Sequence, residues 1–558
     1  MEIILVDELP DDKGGKYAHY EHRPLERHGW EYCDIKKYIN DIQQYWLDDL
    51  DAWHAELSKL SLEFTPWWWL LNTSRLYPWY PSILKPFFFA MGIIEYCKLI
   101  DDKKIYLVKC PKEVGRYIKE LKPAFLIYHK SDATGIAPFS GKDLGDGLIN
   151  CTKYTIDTLE YLVKIFGIFS KVFIHSFPKN KDPDIEEKAY ELFIFSVVFN
   201  EMEFITNGDY FFGKMFQDID SIPKEKILWI FCNGFLRQGK KIRGYLRSVG
   251  VKYVILEDFL TLSVFGKIFR CWLGLVGKLR LIGKKLPPLR VDRYTSTIFP
   301  GVYFYTSVLN EFPATNFFVY IAMKRLLRKC EANTLIYPYE ERGFERGILR
   351  ACAENNKSIR TIGYHHGVHK ESHIFFHNRP SHLINPPRPE MIGVIGPAEK
   401  KWFVETAKVD RSKVIVIGSA HHREPVYRGI DHEDRRACLK ILVLTGFGYE
   451  LIMLANYVHH VHDLFEYCDV IIRKKPYAIQ AEANTGINRL IGLSKNIKVE
   501  TGSLMDQLRW CDVAMYCVTS AGIEAMLAGR IAIYVDLCDV ILMDPLHNKG
   551  DTSKVFRC

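Results

Sequence analysis

The sequence predicts an α/β chain built from doubly wound parallel sheets, and three observations predict it. Short runs rich in Val, Ile, Leu, Phe and Tyr recur at residues 2–6, 104–108, 124–128, 171–175, 227–232 and 251–256, each followed by a helical or Gly-rich segment. These runs are short and apolar without strict alternation, as strands covered on both faces require. Residues 503–536 then spell a whole βαβ unit. In order they read as a short amphipathic helix (Leu504, Leu508, Trp510), a buried strand (513–517), the turn Thr519-Ser520-Ala521-Gly522, a small-residue helix (523–528), Gly529 as its cap and a second buried strand (531–535).

Length and composition bound the rest. At 558 residues the chain is too long for one core, so two or three domains are expected. Hydrophobic residues at 48% and charged residues at 25% exclude a disordered or fibrous class. The net charge of +8 favours anionic partners such as nucleotide phosphates or acidic lipid, but it is too diffuse to indicate nucleic acid. The 14 cysteines form no CxxC pair and sit in apolar segments (Cys271, Cys468, Cys511, Cys517), the pattern of reduced core residues in a cytoplasmic protein. Residues 1–15 read as a first strand, not a signal peptide. No stretch qualifies as a membrane span: the most apolar, 82–100, carries Lys85, Pro86, Glu95 and Lys98.

Taken in order, residues 35–60 have the apolar spacing of a long helix. The aromatic patch at 65–89, around Asn72, Ser74 and Arg75, reads as an acceptor-pocket wall or as plain core. Asp209-Tyr210-Phe211-Phe212-Gly213 and Asn233-Gly234 fall on loops and say little alone. Residues 261–286 form a basic amphipathic helix. Phe265, Ile268, Trp272, Leu275 and Leu279 lie on one side with Lys and Arg interspersed, and Pro287-Pro288 stops it. Such a helix either lies in a bilayer interface or packs on the domain.

Chemistry becomes legible after Asn333. A strand at 334–337 leads into a loop with Glu340 and Glu341, then a helix at 344–355, a strand at 360–363 and a loop with His365, His366 and Gly367. Adjacent loops at one sheet edge would present Glu340, Glu341 and His366 to one crevice, as a general base and a partner for phosphate. Alternatively, Glu340, Glu341 and Glu345 supply ordinary negative charge at a helix N-terminus. His369, His373 and His377 have the spacing of zinc ligands, but without a carboxylate or cysteine partner no metal is expected.

Asn385-Pro386-Pro387-Arg388-Pro389 reads as a linker, dividing the chain into residues 1–385 and 386–558. A second sheet is expected from 392–395, 413–417, 441–444, 470–473, 513–517 and 531–535. Its candidate phosphate and nucleotide ligands are Gly446 and Gly448 in the turn after the third strand, Arg473 and Lys475 after the fourth, and Thr519, Ser520, Gly522 and Glu524 after the fifth. The alternative uses are helix capping by Thr519 or Ser520 and solvated strand-end charge.

The order of these motifs, YEERGFE, YHHG, VIGSAHH, RKKP and SLMDQLRWCDVAMYCVTSAGIEAMLAG, resembles the GT-B glycosyltransferases of bacterial surface-polysaccharide (O-antigen or capsule type) synthesis over about residues 330–545. Within these it is most similar to the surface-carbohydrate group related to sialic acid and Kdo transferases, which use CMP-activated sugars. The resemblance implies a GT-B-like fold of two Rossmann-like domains facing a cleft, with an acceptor-side domain at 1–385 and a nucleotide-sugar-binding domain at 386–558. It makes Glu340 or Glu341 the base, gives Thr519 and Ser520 the donor phosphate and Glu524 the ribose, and calls for no cofactor. The acceptor would be a surface glycan or a lipid-linked one at the inner face of the plasma membrane, with residues 261–286 as the peripheral contact. One departure is Lys475-Pro476 where the group has His-Pro, since lysine is the weaker proton donor at neutral pH. The alternatives are a polyol-phosphate transferase of teichoic-acid type and a non-catalytic scaffold of envelope assembly.

Overall fold

A computed structural model describes residues within 2–138, 189–420 and 438–557, chiefly the elements named below and their flanks. The expected strand at 171–175, most of the aromatic patch at 65–89, His373, the turn carrying Gly446 and Gly448, and Lys475 lie outside the described residues.

The doubly wound α/β class is what the chain adopts, in three large sheets where two were expected. The first contains β1 (Glu2–Val6), β2 (Gly15–His19), β3 (Trp30–Tyr32), β4 (Lys104–Val108), β5 (Leu126–Ser131) and β6 (Gly135–Pro138). Their order is β3-β2-β4-β1-β5-β6, parallel except for β5 with β6. Successive residues of β1 feed opposite faces: Ile3 joins the main core, and Ile4 and Val6 pack with Tyr17 and Tyr106. The long helix Ile35–Phe64 follows β3 and ties this sheet to the next. Its Trp53 donates to the Pro287 carbonyl at 2.9 Å and packs edge-on against Phe299 and Tyr303.

The second sheet contains β7 (Ala189–Val198), β8 (Ile227–Asn233) and β9 (Tyr253–Ile255). After a small antiparallel hairpin of β10 (Leu289–Val291) and β11 (Tyr294–Ser296), it takes up β12 (Glu331–Pro338), β13 (Arg360–His365), β14 (Met391–Val394) and β15 (Val414–Val416). Its order is β15-β14-β13-β12-β7-β8-β9, with every pair parallel. The chain winds outward from β7 through β8 to β9, returns to the middle, and winds the other way from β12. The order therefore reverses between β7 and β12, and the loops leaving those two strands part to form a crevice. A single buried core joins this sheet to the first, running from Ile3 through Phe193 and Leu335 to Val414.

The third sheet contains β16 (Leu439–Leu444), β17 (Cys468–Arg473), β18 (Ile497–Glu500), β19 (Val513–Tyr516), β20 (Ile531–Tyr534) and β21 (Val555–Arg557). Its order is β18-β17-β16-β19-β20-β21, again all parallel, with a reversal between β16 and β19. Ile441 and Val443 enter one core and Leu442 and Leu444 the other, so both faces are covered.

Strand pairing corrects where this last sheet begins. The prolines at 386, 387 and 389 suggested a break before the strand at 392–395, but β14 pairs with β13 (Ile362↔Met391) and β15 with β14 (Ile392↔Val414). Proline interrupts local hydrogen bonding, and it does not decide which sheet receives the next strand. The change of sheet falls between Val416 and Leu439.

Gly522 shows how closely the third sheet's cover is packed. A Cβ there would lie 2.7 Å from the ring of the buried Tyr516, so the residue is glycine for steric reasons, beyond any need for backbone approach to a ligand. Gly522→Ala is expected to cost about 1–3 kcal/mol through overpacking, seen as a lower denaturation midpoint. An unchanged midpoint would show that the helix can move away freely.

Candidate functional site

The crevice between β7 and β12 is built from the loop after β12. Both oxygens of the Glu345 carboxylate lie 3.0 Å from the Glu340 amide, a reach-back bond that stops the strand and starts the helix Gly343–Glu354. Glu341 then turns the chain with φ +58°, a left-handed conformation unusual for a residue with a Cβ. Its side chain is wholly buried. Oε2 accepts from Arg346 Nη2 at 2.9 Å and Nε at 3.2 Å, Oε1 accepts from the Tyr339 hydroxyl at 2.5 Å, and Arg388 Nε lies 3.3 Å from Oε1. Burial pushes this carboxyl up, but Arg346 and Arg388, with the hydrogen bonds from Tyr339 and Arg346, outweigh it and hold the group below the usual carboxylate range. Of the two expected bases, Glu341 is thus committed to structure.

Glu340 faces the other way. Its side chain is 24% exposed, it pairs with Arg342, and its Oε1 lies 3.8 Å from His366 Nε2. His366 leaves the end of β13, and its ring is held edge-on by Phe211 at 4.8 Å and Tyr210 at 6.0 Å. Those aromatics belong to the turn Asp209–Gly213, which sequence alone left without a role. The turn closes through reciprocal backbone bonds of 2.6 and 2.8 Å, and Asp209 Oδ1 accepts from the amides of Phe211 and Phe212. The Asp and Gly that bracket DYFFG were the signal for it. Burial raises the Asp209 carboxyl to about 6, with Ser196 and the two amides pulling it down. At the next strand end, the Tyr364 hydroxyl accepts from the Ala420 amide at 3.0 Å, tying β13 to the VIGSAHH segment.

The neighbouring histidines serve packing. His365 is buried against Phe376 and Phe403, with Nδ1 3.2 Å from the Tyr339 carbonyl. His369 stacks on Trp402 at 4.3 Å with Nδ1 2.5 Å from Glu399. Among the described residues no group of three or more His, Cys, Asp or Glu is placed to hold a metal.

In the third sheet, Arg473 ends β17, one strand outside the reversal point, and donates to the Gly502 carbonyl beyond β18 at 3.2 Å. Thr519 is buried and its Oγ1 accepts from the Ala521 amide at 3.3 Å, the capping use weighed above. Ser520 is exposed and its side chain makes no cap bond. Glu524 occupies the first turn of the helix Ala521–Leu527. Arg473, Thr519 and Ser520 thus stand at the carboxyl ends of β17 and β19, the two neighbours of β16.

No family model matches the chain, and no curated protein matches it. Among solved structures it is similar to UDP-GlcNAc 2-epimerase from Neisseria meningitidis, at 9% identity and a TM-score of 0.32, over 62% of this chain and 82% of that one. It is also similar to MurG from Acinetobacter baumannii (10%, TM-score 0.33, 66% and 85%) and to α,α-trehalose 6-phosphate synthase from Burkholderia multivorans (9%, 0.33, 63% and 84%). These likenesses are too distant to bear on substrate or reaction.

Two substitutions test the electrostatics. Glu341→Gln leaves Arg346 and Arg388 without their buried counter-charge and is expected to cost about 3–5 kcal/mol in chemical denaturation. Native stability in that variant would remove the structural role. Asp209, whose carboxyl is raised on folding from 3.8 to about 6, contributes stability that is complete below about 4 and is lost as pH rises through about 6. Asp209→Asn keeps an oxygen for the two amides and removes the charge. It is expected to stabilise the chain at pH 7.5 by an amount on the order of 3 kcal/mol, a difference that vanishes near pH 4. A pH-independent difference would contradict this.

Proposed function

We propose that the chain is a glycosyltransferase moving a sugar from a nucleotide donor to a hydroxyl of a glycan or lipid-linked acceptor. One observation carries this reading: a part-exposed carboxylate, Glu340, lies 3.8 Å from His366 Nε2 at the reversal point of a doubly wound sheet. A second doubly wound sheet follows it, with Thr519 and Ser520 beside its own reversal point and Arg473 at the end of β17, on the far side of β16. Two such edges supply the two half-sites that an acceptor and a nucleotide need.

Glu340 takes the proton of the acceptor hydroxyl as that oxygen attacks the anomeric carbon. The bond from that carbon to the donor phosphate breaks, and its electron pair leaves with the phosphate oxygen. Arg473 and the Ser520 hydroxyl act where that charge develops, and Glu524 meets the ribose. Arg342 and His366 orient Glu340. The order of motifs favours a CMP-activated sugar, with Gly446, Gly448 and Lys475 completing the donor side.

Glu340→Gln is expected to lower kcat for transfer by about 10²–10⁴ while leaving nucleotide binding intact. Undiminished transfer would remove the base assignment. A thermal-shift panel of CMP, CDP, UDP and GDP reads the donor side, because a ligand that binds only the folded chain raises its apparent stability. A shift with UDP or GDP alone would overturn the CMP preference, and no shift with any of the four would overturn the reading as a whole.

A further inference from the structure

The helix Leu262–Gly283 has two apolar faces, and among the described residues only one of them is packed into the fold. Val264, Ile268, Leu275 and Ile282 are buried in the main core, at the spacing of an inward stripe. Leu262, Phe269 and Leu273 recur at helical spacing on the outward side and are 60%, 43% and 48% exposed, and Leu281 further along is 58% exposed. Nothing lies within 4 Å of where a Cβ would stand on Gly266, Gly274 or Gly277, so the outward side is smooth as well as apolar. Phe265, Phe269 and Trp272 stack along one margin, with ring centroids 6.5 and 5.8 Å apart.

Charge decides what such a surface fits. Every charged residue from 259 to 291 is Lys or Arg. At the start of the helix, Thr261, Ser263 and Lys267 line a groove of about 550 Å³ together with Arg325, Arg328 and Lys329 of the helix Ala314–Lys329. Arg325 donates to the Ser263 hydroxyl at 2.8 Å and to Thr261 Oγ1 at 3.3 Å, which ties the two walls of the groove together. A second copy of this chain seated on the same face would set cations against cations. A bilayer with anionic headgroups complements both features, because it accepts the apolar stripe below and presents phosphates to the groove. No described helix is long and apolar enough to cross a membrane, so the contact lies in the interface plane.

We infer that the outward face of Leu262–Gly283 docks in the surface of an anionic bilayer, with a lipid headgroup phosphate held by Arg325, Arg328, Lys329 and Lys267. The groove adjoins the amino end of β12, whereas Glu340 lies just beyond its carboxyl end. At the rise of a strand, these eight residues separate the two by roughly 26 Å. The groove therefore anchors the chain and does not feed the crevice, and the inference holds whichever reaction the crevice performs.

The test is flotation of the full chain with vesicles of phosphatidylcholine, alone or mixed with phosphatidylglycerol. Partition is expected to be about tenfold or more greater on the mixed vesicles and to fall with added salt. Phe269→Glu with Leu273→Glu is expected to abolish it, and Arg328→Glu with Lys267→Glu to remove the preference for the anionic lipid. These positions are exposed or line the open groove, and an unchanged circular dichroism spectrum and melting curve confirm that each pair folds. Equal partition on both vesicles, or wild-type partition by either variant, overturns the inference. So does a dimer in vesicle-free solution that Phe269→Glu with Leu273→Glu dissociates, or capture of inorganic phosphate by the groove without any vesicle binding.

Discussion

The buried carboxylate of Glu341 is the interaction on which the crevice depends. A charge removed from water is tolerated only when opposite charge and hydrogen bonds replace the lost hydration. Here the replacements come from three separate places: Tyr339 at the end of β12, Arg346 one turn into the next helix, and Arg388 from the proline-rich segment before β14. Satisfying one carboxylate thus fixes three chain segments against one another. It also holds a left-handed backbone that would otherwise relax, and that reversal turns Glu340 away from the core. The reach-back bond from Glu345 to the Glu340 amide sets the same loop from the other side.

Around that loop, the topology accounts for the rest of the site. In the second and third sheets the winding direction reverses beside the first strand, so the loops leaving the middle strands have no crossover between them. The aromatic turn Asp209–Gly213 fills one side of the first opening and steadies His366. Thr519 and Ser520 border the second, and Arg473 ends the strand on the far side of β16. The basic groove at the start of Leu262–Gly283 lies by the opposite end of β12 from Glu340, so the two features occupy different ends of one sheet.

Much of this was legible in the residues. The strand at Lys104–Val108 spans the apolar run read as a strand, the helix Leu504–Trp510 covers the amphipathic stretch Leu504, Leu508 and Trp510, and Gly529 ends the next helix with φ +74°. β7 was not legible. Ala189–Val198 is ten residues of almost unbroken apolar character and lies in the middle of its sheet, and a run without periodicity reads equally as strand or buried helix. Nor did sequence divide Glu340 from Glu341, because neighbours in a loop have the same composition around them. The roles separate through the contacts of Glu341 with Tyr339, Arg346 and, 47 positions away, Arg388.

Sequence by itself determined the α/β class, the positions of strands such as β1, β4, β16 and β19, and the residue types that follow them, because these depend on local periodicity and capping. Tertiary structure decided how many sheets those strands make, which sheet receives β14 and β15, and which of two adjacent glutamates is buried. Those outcomes depend on long-range pairing and on the balance between desolvation and distant charge, and no local stretch of sequence contains either.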